Sequence, residues 1–263
     1  MRRLRKYGVF AKISFANAIA YPIAVVGPFC FYAIIIYVMA CLWRTIYRDG
    51  GPQGYTYAQM VWYLLMTEFI SFICGTSLFH EMNEEIKSGS IAYRLSRPVH
   101  YVLYQFANVL GQAAFNSIAF GLLAVVLGMA FAGPLPGFSL AAIPALAVSV
   151  ILSIILNYFF LMMIGLSAFL LEENTAVFWI YQKLAFMLGM LLPVELLPPW
   201  LQTVAKALPF SYVFWAPARI FVGYSPEICL ALLPRQAFWA ASAIALTLLG
   251  YHMCTKHLQV NGG

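Results

Sequence analysis

Charge is what this sequence has least of. Only 9% of its 263 residues are Asp, Glu, Lys or Arg, against 63% hydrophobic residues, and the mean hydropathy is +0.84. Soluble domains run near a quarter charged, so a water-soluble fold of this length could not cover its own surface. Lipid is the solvent that fits, with backbone groups satisfied inside helices. A phosphate-cradling loop is also missing. The pattern G-x-x-x-x-G-K-[ST] needs glycine followed by lysine, and no glycine here is followed directly by lysine. Five scattered cysteines (Cys30, Cys41, Cys74, Cys229, Cys254) form no C-x-x-C, so they indicate neither a zinc site nor a disulfide framework. His80-Glu81-Met82-Asn83-Glu84 has glutamate where a two-histidine zinc motif needs its second histidine. His100, His252 and His257 suggest no catalytic pairing, and Glu172-Glu173 alone makes no acid–base site.

What is present is basic and helical. The net charge is +6, but Arg2, Arg3, Arg5, Lys6 and Lys12 crowd the start, beside a long apolar run. That placement fits an anionic inner leaflet better than a nucleic acid. Lys12, Ser14 and Asn17 interrupt the apolar core a signal peptide would need. Leu4, Tyr7, Ala11, Phe15 and Ala18 share one helical face, so residues 1–20 read as an interfacial amphipathic helix.

A spanning helix needs roughly 20 mostly apolar residues. Six stretches qualify: 21–43, opened by Pro22 in its first turn, then 58–80, 103–131, 141–171, 175–192 and 237–254. The expected fold is therefore an all-α integral membrane protein with six transmembrane helices. With the N-terminus inside, the inner segments hold Arg2, Arg3, Arg5, Lys6, Lys12, Lys87, Arg94, Arg97 and Lys256, and the outer ones Arg44, Arg48, Lys206, Arg219 and Arg235. This bias puts both termini in the cytoplasm. Residues 81–101 form a polar cytoplasmic loop with helical character. Residues 193–235 are too apolar for water and are chopped by Pro193, Pro198, Pro199, Pro209 and Pro217, so they read as a re-entrant outer hairpin. A seventh span is the competing reading.

Two stretches carry a resemblance. Glu85-Ile86-Lys87-Ser88-Gly89-Ser90-Ile91 with Leu95-Ser96-Arg97-Pro98, and Leu192-Pro193-Val194-Glu195-Leu196-Leu197-Pro198-Pro199-Trp200-Leu201 followed by Leu208-Pro209-Phe210, stand in a six-span layout. Together they resemble the membrane subunit of an ATP-binding-cassette (ABC) exporter of the type-2 permease class, over essentially the whole chain. In that family the first loop is a coupling helix that docks on the ATPase. The resemblance implies a permease subunit with no cofactor of its own, and ATP and Mg bound by a partner ABC ATPase subunit. It further implies a second permease subunit, identical or related, and a bacterial plasma (inner) membrane. Glu84, Glu85, Lys87, Arg94 and Arg97 would supply polar contacts, with Ile86, Ile91 and Leu95 as apolar anchors, Gly89 as the helix breaker and Pro98 as the return to the membrane. An ordinary solvated loop is the plain alternative.

Glu68 and Lys183 each lie several turns inside a span, where an unpaired charge costs a few kcal/mol. They are expected to pair across spans two and five, or to line the path with Gln182; snorkelling and protonation are the alternatives. Ala107/Gly111, Gly128/Ala132 and Ala185/Gly189 permit close helix contact without saying which face meets another subunit. The aromatics of span five, Phe178, Trp179, Tyr181 and Phe186, suit a lipophilic path or ordinary packing. The expected function is ATP-driven efflux of an amphipathic or lipophilic substrate; a self-sufficient channel or secondary transporter is the alternative, against which no internal repeat is found.

Overall fold

The computed structural model describes residues 2–21, 23–169, 171 and 173–261, with side chains from 5 to 254 within those ranges. Pro22, Glu172 and the side chains of Arg2, Arg3, Leu4, Lys256 and His257 lie outside it. Helices account for all the regular structure among the described residues: α1 (Arg2–Ala20), α2 (Ile23–Arg48), α3 (Tyr57–Cys74), α4 (Ser77–Lys87), α5 (Ile91–Leu95), α6 (Tyr101–Phe131), α7 (Ala142–Leu166), α8 (Thr175–Ala185), α9 (Pro199–Ala207), α10 (Ser211–Val222) and α11 (Pro226–Asn261).

Five helical stretches are long and apolar enough to cross a membrane: Ile23–Arg48, Tyr57–Lys87, Tyr101–Phe131, Ala142–Phe169 and Pro226–Cys254. The expected span 175–192 is not among them. There α8 stops at Ala185 and continues as a π-helical turn, Phe186–Met190, short of the roughly 20 residues a span needs. The turn leaves carbonyls without helical donors, and α3 supplies them. The Tyr63 hydroxyl donates to Gly189 O at 2.5 Å, and Thr67 Oγ1 lies 3.2 Å from Met190 O.

Three boundaries depart from the sequence reading for local reasons. The second span was expected to run unbroken over 58–80, but α3 ends at Gly75. That residue takes φ +59°, a region open mainly to glycine, and α4 restarts at Ser77. Asn157 Nδ2 of α7 reaches the freed Gly75 carbonyl at 3.4 Å. The last helix was expected from 237 but begins at Pro226, because Ser225 caps it: its Oγ accepts from Ile228 N at 3.2 Å, and Pro226 and Glu227 suit a first turn. Pro217, read as a breaker, sits inside α10, and Pro234 sits inside α11.

In the bundle, α2 and α6 flank α3, α11 lies along α7, and α10 is wedged between α3 and α7. Tyr212, Val213, Ala216, Ala218 and Ile220 of α10 have no exposed surface. The expected outer hairpin thus contributes the most buried helix of the core. The first helix runs in register along the start of α6. Lys6 Nζ reaches Pro98 O at 2.9 Å, Phe10 meets Tyr104 edge-on with centroids 4.9 Å apart, Ser14 Oγ donates to Asn108 O at 2.7 Å, and Phe15 meets Phe115 at 6.3 Å. Its docked face, with Tyr7, Ala11, Phe15 and Ala18, is the amphipathic face read from sequence. Gly111 permits the approach, since a methyl there would come within 2.2 Å of Ala11 O. Gly128 likewise seats Trp62, and Gly189 meets Ser211 of α10, so all three small-residue pairs serve packing within the chain.

Gly111→Val is therefore expected to push α1 off α6 at a cost of about 1–3 kcal/mol. Gly8→Val, whose added carbon meets nothing within 4 Å, should leave the docking intact. Tryptic cleavage at the exposed Lys12 in detergent should accelerate in the first variant and not in the second; equal rates would contradict the packing role.

Candidate functional site

The α4–α5 corner is built around one buried carboxylate. Glu85, 9% exposed, receives Arg94 Nε on Oε1 at 2.8 Å and the Tyr101 hydroxyl on Oε2 at 3.0 Å. The corner forms because α4 ends at Lys87, Gly89 turns the chain at φ +74°, and the short α5 brings Arg94 back over Glu85. A carboxylate removed from water needs such partners, since leaving it unpaired costs several kcal/mol. From Tyr101 a chain of polar contacts climbs α6: Gln105 Nε2 to the Tyr101 hydroxyl at 3.3 Å, Asn108 Nδ2 to Gln105 Oε1 at 3.4 Å, and then Ser14 of α1 on Asn108 O. The corner is thereby tied to the first helix.

The residues expected to meet a partner divide into two sets. Glu85, Ile86, Ile91 and Leu95 turn inward, Ile91 being fully packed in the core with Ile86 and Leu95 against it. Apolar side chains next to an apolar bundle bury themselves there first. Glu84, Lys87, Gly89 and Arg97 remain exposed. So does Tyr93, which sequence reasoning did not single out: it is 68% exposed, with the Arg97 guanidinium 4.8 Å from its ring centroid. An open recess lined by Glu81, Glu84, Glu85, Ser88, Ser90 and Arg94 lies beside them. Lys87 forms an ion pair at 3.0 Å with Glu173, which also accepts from Thr175 N and its hydroxyl at the start of α8. The Thr175 hydroxyl, then Lys87 and the Thr175 amide, hold the Glu173 carboxyl down to about 2.

Glu68 and Lys183 form no ion pair with each other, so the first of the two arrangements expected of them is absent. Thr67 faces the π turn, and Glu68, one residue on, is rotated about 100° away. It shares the α3 face of Leu65, whose carbonyl takes the Tyr32 hydroxyl of α2 at 2.7 Å. Lys183 is exposed on α8, its ammonium 5.6 Å from the Trp179 ring centroid, with Gln182 half-buried beside it.

At the opposite end, Glu195 is the second carboxylate hub. It receives Arg219 Nε at 3.0 Å, the Tyr55 hydroxyl at 3.0 Å and Trp215 Nε1 at 3.1 Å. Burial and the Glu195 carboxylate push the Tyr55 phenol up, which keeps it a donor. Pro193 opens the 3-10 turn Val194–Leu196, Pro198 and Pro199 begin α9, and Trp200 stands 69% exposed on it. Sequence reading counted Arg219 only as a flanking charge. It also missed Gln236 of α11, which is fully buried and bonds Ser149, Ser153 and the Tyr212 carbonyl at 2.8–3.0 Å. The signal was present, a polar side chain inside an apolar helix, but the helix start had been set one residue beyond it.

Compared with known proteins, the chain matches the family model described as ABC-2 family transporter protein over residues 33–256. No curated protein matches it. The matched region begins within α2, so α1 lies outside it.

Arg219→Met leaves Glu195 with two neutral donors, and the thermal midpoint in detergent should fall by the equivalent of about 1–3 kcal/mol. Adding Glu195→Gln should restore part of that loss; strict additivity would mean that the pair is not coupled. The depressed Glu173 pKa predicts that its contribution is present above the unfolded value, near 4.3, and lost only as pH falls through about 2. Carboxyl-carbon NMR of labelled glutamate should show Glu173 charged at pH 3.5, with its midpoint moving upward in Lys87→Met.

Proposed function

Because the chain belongs to the ABC-2 family of transporter proteins, we propose that it is the permease subunit of an ABC exporter, driving efflux of an amphipathic or lipophilic substrate with energy from a separate ATPase. The chain is a multi-pass membrane protein and the permease component of an ABC transporter, the component that lacks the ATPase site. In the fuller reading a second permease, identical or related, completes the path. The ABC ATPase subunits bind ATP and Mg. The assembly sits in a bacterial plasma membrane, in contact with its lipid, with both termini and the α4–α5 corner in the cytoplasm and α9 on the outer side, an arrangement in which α8 and its π turn, running from the Lys87–Glu173 pair toward Glu195, make the sixth crossing.

The observation that carries the coupling reading is the Glu85 hub. A lever must be rigid where it is pushed and joined to what it moves. The exposed tip, Tyr93 with Arg97, is held through Arg94 to Glu85 and Tyr101, and so to the start of α6. Through α4 the same corner packs on α7 and leads back into α3 across the Gly75 break. The exposed face of α8 and its π turn, with Trp179, Ile180, Lys183 and Met187, supports a role in the path, because a cation on an otherwise apolar surface needs water or protein beside it. Glu68 remains a candidate for the same path.

Co-purification with the products of the neighbouring genes tests the proposal: an ATPase subunit should come down with the chain. Turnover of that ATPase should depend on this chain. Glu85→Gln and Arg94→Leu, which remove about 1–2 kcal/mol of anchoring, should lower ATP-driven efflux by roughly 5- to 30-fold, while Lys206→Gln, exposed on α9, changes it little. Tyr93→Cys should be labelled only after the cells are opened, and Trp200→Cys before. Transport in liposomes without nucleotide, or the reverse labelling pattern, would overturn the reading.

A further inference from the structure

Between α1, α2 and α6 lies a recess of about 380 Å³ that neither the coupling corner nor the α8 face uses. Its wall comes from Ser14, Asn17 and Tyr21 of α1, Val25 and Pro28 of α2, Phe72 at the end of α3, and Gln112, Asn116 and Phe120 of α6. We infer that this recess binds an amphiphile whose head group is uncharged and carries hydroxyls, with its alkyl chain directed toward α2 and α3.

Four observations carry this. The recess has the size of a small-molecule site, which starts near about 300 Å³. Among the described residues no charged side chain lines it, so nothing there favours a phosphate or an ammonium head. Its polar groups are amides and the Ser14 and Tyr21 hydroxyls, which match sugar or glycerol hydroxyls as donor and acceptor together. Asn17 and Gln112 have no hydrogen-bond partner among the described residues, and Asn116 uses only Nδ2, toward Phe72 O at 2.8 Å. Ser14 donates to Asn108 O and keeps its lone pairs.

The fourth observation is the polarity gradient. Ser14, Asn17 and Gln112 lie at the α1 end. Pro28 and the stacked Phe72 and Phe120 rings, with centroids 4.4 Å apart, close the other end. From Gln112 to Phe120 the α6 backbone advances about 12 Å, enough for a head group and the first methylenes of a chain. Asn17 and Gln112 are exposed, and Ile19, Ile23 and Val26, next in sequence to lining residues, are 53%, 85% and 56% exposed, so the amides open onto an apolar surface that an alkyl chain can follow.

The inference does not depend on how transport is energised, and its test uses no ATPase. The full chain in phosphatidylcholine nanodiscs is photolabelled with a dodecyl glucoside bearing a diazirine in its chain. Saturable labelling should map to residues 14–28 and 112–120. Unlabelled dodecyl glucoside should displace it at about tenfold lower concentration than dodecylphosphocholine, the discrimination expected of a site built to bond hydroxyls. Asn17→Leu with Gln112→Leu should reduce labelling about fivefold or more, and Ala18→Trp, which fills the recess, should abolish it. Gln112→Leu alone, at an exposed position, covers the case in which the double variant fails to fold. Non-saturable label spread over the apolar face of α2, equal displacement by the two detergents, or unchanged labelling in Gln112→Leu would overturn the assignment.

Discussion

Every place where this backbone leaves regular helix inside an apolar bundle exposes carbonyls that neither lipid nor bulk water can satisfy, and the rest of the architecture is arranged around supplying their donors. Tyr63 and Thr67 serve the π turn after α8, Asn157 the break at Gly75, and Trp62 Nε1 the Gly133 carbonyl at 3.0 Å. Ser211 Oγ donates to Ala205 O at 2.6 Å and the Tyr212 hydroxyl to Lys206 O at 2.9 Å, fixing the turn from α9 into α10. Because an unmet buried carbonyl costs about 1–3 kcal/mol, these few side chains decide where the chain can bend.

The same economy of polar groups explains the two carboxylate hubs. Each joins elements distant in sequence: Glu85 ties α4 to α5 and α6, and Glu195 ties the α2–α3 connection to α10. Each is only partly exposed and saturated with donors, so each fixes a geometry more than it adds net stability. They sit at opposite ends of the bundle. The contacts from Tyr101 to Ser14 extend the first joint to α1. A helix outside the matched family region thus becomes part of the corner where force would enter.

Membrane class, helical content and the absence of an ATP site were legible because they depend on composition and motif alone. The loop breaker Gly89 and the helical breaks at Pro193 and Pro198–Pro199 were legible because glycine and proline act locally. The π turn within 175–192 and the burial of α10 were not, because each depends on a donor or a packing face contributed by another helix; the start of α11 rests on the local Ser225 cap, a signal the sequence reading passed over. Pro217 and Pro234 are tolerated inside helices that their neighbours hold in place, which no local rule anticipates.

The sequence alone therefore determined the solvent of this protein and its helices, since hydrophobic length and charge scarcity act residue by residue. Only the tertiary structure decided which charges are joined. Glu68 and Lys183 share apolar surroundings yet stand on different faces, whereas Glu195 finds Arg219, and Glu85 turns away from solvent toward Arg94. The physical reason is rotation about the helix axis. A shift of one residue swings a side chain about 100°, and the face it then meets is set by packing contacts distributed over the whole bundle.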